Sequence, residues 1–142
     1  MVNHIEIPND PIEQVVGIYP KPIAEALQNL RDLIVTVGQE TPSVKNVAGS
    51  LKWGQPSYEA VSPKTGSPVR IDRVKNSETK YAMYFICTTT LVQDIRERYP
   101  DEFTFEKNRA LIFDVTQALP TEPLKHCIAM ALTYKLGSGP IN

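Results

Sequence analysis

Between Ser50 and Ala60 the chain sets a lysine, its single tryptophan, a Gly-Gln-Pro run and a tyrosine side by side: Lys52-Trp53-Gly54-Gln55-Pro56-Ser57-Tyr58. Such a segment offers charge, stacking surface and a sharp change of chain direction together. Arg70, Lys80, Tyr84 and Arg109 fall in or beside other extended segments, so several cations and aromatic rings can border one sheet edge or concavity. That grouping suits a small anionic ligand, and its bland alternative is an ordinary solvated surface. Strand alternation would send Lys52 and Trp53 to opposite faces. Lys52 is then expected to serve the ligand-binding face, and Trp53 to anchor the core, because an indole buries a large area.

A second cluster is acidic. Asp94, Glu97, Asp101 and Glu102 gather near one helix end and the following turn, with Glu106 beyond, and oxygen ligands so grouped can hold a hard cation. Arg96, Arg98 and Lys107 lie among them, so a solvated face with ion pairs is the competing reading. The chain has two histidines and two cysteines, too few at workable spacing for a zinc site. His4 and His126 read as surface histidines, and Cys87 and Cys127 as buried thiols within apolar patterns, which points to a reducing compartment. No GxGxxG, Walker A, GxSxG or HExxH pattern occurs, so no cofactor is expected and no catalytic residue can be named.

Composition narrows the classes further. A chain of 142 residues with 42% hydrophobic content can bury a core as one domain, spanning about residues 12–136 between loose termini. Its 15 basic and 16 acidic residues nearly cancel, which argues against a nucleic-acid partner or a polybasic membrane anchor. The start of the sequence lacks a basic region followed by an apolar run, and no segment has the roughly 18 apolar residues of a membrane span. A cytoplasmic location is the expectation.

These residues need elements to position them. Asp10-Pro11-Ile12-Glu13 reads as a capping box opening a short helix that ends near Gly17. Ile23, Leu27, Leu30, Ile34 and Val37 mark a longer helix, with Arg31 facing outward and Gly38 as its stop. Val44 and Val47 suggest one more helical turn, and from Ser50 the period shifts toward two, broken at Gln55-Pro56. Residues 62–68 form an exposed hairpin loop before a half-buried strand over 69–74. The run 80–87, apolar on both faces, is expected at the centre of the sheet and covered on two sides. A helix around Leu91 to Tyr99 follows, then strand signals at Phe103 and Phe105 and over 110–115, and a last helix from Thr121 closed by Gly137. The sum is an α+β fold, an antiparallel sheet flanked by N-terminal helices and a C-terminal helix.

The order Tyr19-Pro20, Leu30 to Ile34, Lys52-Trp53-Gly54-Gln55-Pro56-Ser57-Tyr58 and Lys80 to Phe85 resembles the YdhG-like family of small bacterial domains of unknown function, over about residues 12–136. Phe105 to Ala110 resembles a longer subgroup of it. The resemblance implies an α+β fold with helices flanking an antiparallel sheet. Some relatives are described as frataxin-like iron chaperones for iron-sulfur or haem assembly, which implies iron binding at exposed acids. Three functions therefore stand: a non-enzymatic module binding a small anionic ligand or a protein through Lys52, Trp53, Tyr58 and Tyr84, with Arg70, Lys80 and Arg109 nearby; an iron chaperone using Asp94, Glu97, Asp101 and Glu102; and an enzyme of unidentified residues.

Overall fold

In the computed structural model, which describes residues 5–136, the elements run α1 (Ile12–Val16), α2 (Lys21–Glu40), β1 (Asn46–Lys52), β2 (Gln55–Val61), β3 (Val69–Arg73), β4 (Lys80–Phe85), α3 (Leu91–Arg98), β5 (Thr104–Glu106), β6 (Ala110–Asp114) and α4 (Thr121–Leu132). His4, the closing role given to Gly137, and the tail from Ser138 lie outside the described residues. The strands form one antiparallel sheet in the order β1-β2-β3-β4-β6-β5.

Helix α2 forms as its apolar spacing requires. Ile23, Leu27, Leu30 and Ile34 are fully buried in one cluster with Tyr58, Val69, Ile71 and Met83 from the sheet and Leu124, Cys127 and Ile128 from α4. Strand β4 is paired on both sides, by β3 and β6, as a central strand should be. Its second apolar face, however, is not covered by a helix. Ala82 and Ala110 are wholly buried yet stand outside the helix-packed cluster, on the outer face of the sheet. The result is an α+β architecture with the helices on one face.

Several local expectations are corrected. Arg31 does not face outward; it is buried, because Asp10 and Asp32 accept its hydrogen bonds and satisfy its charge. Gly38 does not stop α2, which continues to Glu40; a Cβ at Gly38 would stand 2.5 Å from Val47 Cγ2, so this glycine lets β1 approach the helix. Val47 therefore belongs to a strand, not to a helical turn. Asp10 accepts a hydrogen bond from the Ile12 amide at 3.0 Å, while Pro11 occupies the N-cap position. Strand β4 ends at Phe85, which leaves Cys87 exposed, while Cys127 is buried as expected.

The segment 62–68 is not a free hairpin loop. Thr65 and Ser67 are buried against the end of α4, where the Thr65 hydroxyl donates to the Leu132 carbonyl at 2.8 Å and the Ser67 amide donates to the Ala131 carbonyl at 2.8 Å. Helix-end carbonyls otherwise lack partners, so this loop caps α4 from a distance. A side chain at Gly66 would run into the Ala131 and Leu132 carbonyls. Gly66→Ala should thus cost roughly 3 kcal/mol, because the obstructing atoms are backbone and cannot rotate away; a urea melt of the variant against the parent checks this.

Candidate functional site

The outer face of the sheet carries the candidate cations. Register fixes who shares it: Lys52 stands opposite Gln55, Ser57 opposite Arg70, Arg70 opposite Tyr84, and Tyr84 opposite Ala110. Directly paired residues point the same way, so Lys52, Gln55, Arg70 and Tyr84 line one continuous surface. The Arg70 guanidinium lies over the Tyr84 ring, 5.5 Å from its centre, and Arg109 approaches the same ring at 5.7 Å. Cations at these distances are attracted to the ring's negative faces. Arg70 also donates to Gln55 Oε1 at 2.8 Å, and Arg109 reaches Glu106 Oε2 at 3.3 Å.

Asp72 supplies the fixed point beneath this row. It accepts the Tyr19 hydroxyl at 2.6 Å and Gln55 Nε2 at 3.2 Å. Tyr19 sits between α1 and α2, and Arg73 lies 5.6 Å from the centre of its ring, so the helix connection is tied to the same end of the sheet. Burial and the Asp72 hydrogen bond push the Tyr19 phenol up to about 12. Tyr84 is likewise raised, chiefly by burial, with Asp72 and Glu106 adding to the shift. Both rings remain protonated donors at neutral pH. Gln55, Tyr19 and Asp72 were not among the sequence candidates, since a glutamine in a turn-rich run and an aspartate in an alternating strand carry no signal of their own.

Lys80 shares the outer face but lies four residues along β4 from Tyr84, roughly 13 Å away, and pairs with Asp114 at 3.3 Å. Tyr58 belongs elsewhere. Its ring is fully buried on the helix-packed face, and its hydroxyl donates to Asp10 Oδ1 at 2.7 Å. Burial first, and then Asp10, push the Tyr58 phenol far above the tyrosine range, so it serves as a permanent internal donor.

Trp53 reverses the sequence expectation. It is not the core anchor: β1 ends at Lys52, β2 begins at Gln55, and Trp53 and Gly54 form the two-residue turn between them, with φ of 56° and 77°. Positive φ at both positions is the type I′ geometry that matches strand twist, and it throws the indole outward, 88% exposed. Leu51, beside it in the hairpin, is 49% exposed. The turn falls at Trp53-Gly54 and not at Gln55-Pro56, so Lys52 and Trp53 are not related by strand alternation.

The acids expected to hold a cation are spread along α3 and the following turn. Thr90 donates to Asp94 at 2.9 Å, and Gln93 donates to Glu97 at 3.4 Å. Among the described residues, no group of three or more His, Cys, Asp or Glu side chains is arranged to hold a metal ion. His126 is half-buried, with Nδ1 2.6 Å from the Tyr99 hydroxyl, and burial followed by Arg98 lowers its pKa. No described helix is long and apolar enough to cross a membrane.

Comparison with known proteins adds a fold. No family model and no curated protein matches the sequence. A crystal structure of YdhG from Bacillus subtilis, a DUF1801 family protein, superposes with a TM-score of 0.59 over 91% of this chain and 93% of that one, at 14% identity. The α+β architecture is thus that of a YdhG-like fold, the same group the sequence motifs resemble.

These placements make the two aromatic members of the motif opposite in energetic character. An exposed tryptophan in the left-handed region is costly backbone with no burial to offset it. Trp53→Ala should therefore change stability by less than about 1 kcal/mol, and Trp53→Asn, which installs the favoured Asn-Gly turn, should raise it by about 0.5–1 kcal/mol. Tyr58→Phe should lower it by about 1–3 kcal/mol, because the partly buried Asp10 carboxylate loses a donor. Denaturant melts of the three variants measure these differences.

Proposed function

We propose that this protein is a non-enzymatic binding module that takes an anionic partner on the outer face of its sheet, at the end formed by Lys52, Arg70, Tyr84 and Arg109. The observation that carries the reading is the Tyr84 ring approached by the Arg70 and Arg109 guanidiniums on a sheet face that the helices leave open. The arginines are held in position by Gln55, Glu106 and the ring itself, so little ordering is left to do when a carboxylate or phosphate docks. Lys52 adds a cation at the adjoining corner, and Trp53 adds a stacking surface at the tip.

The chemistry of the face favours binding over turnover. Guanidiniums do not deprotonate near neutral pH, and the central phenol has its pKa raised, so neither group shuttles a proton under ordinary conditions. A partly exposed ring flanked by cations on an open sheet face gives affinity and orientation. They offer no activated nucleophile.

Trp53 is the chain's one tryptophan, so its emission reports on this end of the molecule alone. Titration with phosphate, citrate and a short polyglutamate peptide should give a saturable change in that emission for at least one probe, weakened by added salt. Arg70→Gln and Arg109→Gln should each weaken the response by about 1.5–3 kcal/mol in binding free energy while leaving the melting temperature close to the parent's. If no probe saturates, the partner is not anionic; if binding survives both substitutions, it lies on another surface.

A further inference from the structure

A second, unrelated feature lies on the helix side of β4. Pro22, Ala26 and Asn29 recur at spacings of four and three along α2 and so share one face of that helix, which forms one wall of a cleft of about 350 Å³. The opposite wall is Val115 and the segment Gln117 to Leu119, between β6 and α4, with Tyr81 of β4 completing the lining. This volume falls within the range of small-molecule sites, roughly 300–1,000 Å³.

The wall is pre-formed. The Val115 amide donates to the Thr79 carbonyl at 2.8 Å, which ties the segment to the start of β4, and the Gln117 amide donates to the Asp114 carbonyl at 3.0 Å, which closes its turn after β6. The Tyr81 ring is held by Phe113, with centres 5.4 Å apart.

Tyr81 is the unusual member of this set. Only 3% of it is exposed, and its hydroxyl makes no hydrogen bond among the described residues; the side-chain polar atom sealed among them without a partner is Ser67 Oγ, so the Tyr81 hydroxyl keeps its opening to solvent on the cleft side. The ring is thus buried while the hydroxyl is left as a donor facing the cleft, unclaimed by the fold. Tyr58, at a comparable depth, donates to Asp10, and Tyr19 donates to Asp72. Burial pushes the Tyr81 phenol up to about 12, so it remains a neutral donor. In a cleft whose other uncharged polar side chains are the Asn29 and Gln117 amides, that hydroxyl is left to whatever fills the space.

The charge of the lining narrows the class. Its one ionised side chain is Glu25, which sits at the solvent edge with Lys21 Nζ 4.0 Å away. No cation is part of the lining, so an anion seated in the cleft would find no positive partner there and would face the Glu25 carboxylate. Amides and a phenol, by contrast, match hydroxyl and amide groups, and Pro22, Ala26 and Leu119 match an apolar skeleton.

We infer that the cleft between α2 and the β6–α4 segment is a binding site for a small uncharged ligand bearing hydroxyl or amide groups, which accepts a hydrogen bond from Tyr81. It is separate from the anionic face, since Tyr81 and Tyr84 stand on opposite sides of β4.

Amide chemical shifts of the full chain, followed by NMR during titration with methyl glucoside, N-methylacetamide and inorganic phosphate, test this. One of the two neutral probes should shift the signals of Ala26, Asn29, Tyr81 and Leu119 saturably, and phosphate should not. Tyr81→Phe should weaken that probe roughly five-fold with an unchanged melting temperature, and Ala26→Phe, which fills the cleft, should abolish its binding. Failure of both neutral probes, phosphate binding as tightly at these residues, or unchanged affinity in Tyr81→Phe would overturn the inference. A lowered melting temperature in Tyr81→Phe would overturn it too, by showing that the hydroxyl already serves the fold.

Discussion

The fold turns on one buried guanidinium. Arg31, in the middle of α2 and 1% exposed, donates to Asp10 at 2.7 Å, to Asp32 at 2.8 Å and to the Ile5 carbonyl. Asp10 in turn accepts the Tyr58 hydroxyl from β2 and the Ile12 amide at the start of α1. A single ion pair thus joins the N-terminal segment, both N-terminal helices and the second strand. Removing one partner of such a pair strands the other in a medium that cannot solvate it, typically at about 3–5 kcal/mol. Arg31 suits the position because its planar fork can satisfy three acceptors at once, which a lysine ammonium does with less directional control.

That knot sets where the hairpin points. With Tyr58 held inward by Asp10, alternation along β2 turns Gln55 and Ser57 to the outer face, and Gln55 can then reach both Arg70 and Asp72. Tyr19 approaches Asp72 from the link between α1 and α2, so the same helices that enclose the core also brace the outer row. Scaffold and candidate site are therefore divided by the parity of the strands: Tyr58, Ile71, Met83 inward; Gln55, Arg70, Tyr84 outward. A one-residue slip of β2 would exchange the two sets.

Periodicity was legible where burial is one-sided and long. The apolar spacing of Ile23, Leu27, Leu30 and Ile34 gave α2, and the run from Lys80 to Cys87 gave a strand paired on both sides, two residues longer than the one that forms. Positions decided by a single long-range partner were not legible. Arg31 occupies a spacing that reads as solvent-facing until Asp10, twenty-one residues away, is brought to it. Gly38 reads as a helix stop until Val47 is seen packed against it. Among site residues, Arg70, Tyr84 and Arg109 were visible as types, but their convergence on one ring depends on the register of β3, β4 and β6, which no local pattern encodes.

Trp53 escaped for a related reason. Hairpin turns with positive φ at both central residues ordinarily announce themselves with Asn-Gly or Asp-Gly, and tryptophan is a poor occupant of that conformation. Alternation was therefore carried through a position where the chain reverses. The same facts bear on function. Core residues here repay their conformational constraint by burial, as Tyr58 does, or by pairing, as Arg31 does. The Trp53 ring does neither, since it is 88% exposed on strained backbone. A large aromatic side chain that the fold does not bury thus stands beside a lysine at the corner of the arginine-lined face, where the partner proposed above would meet it.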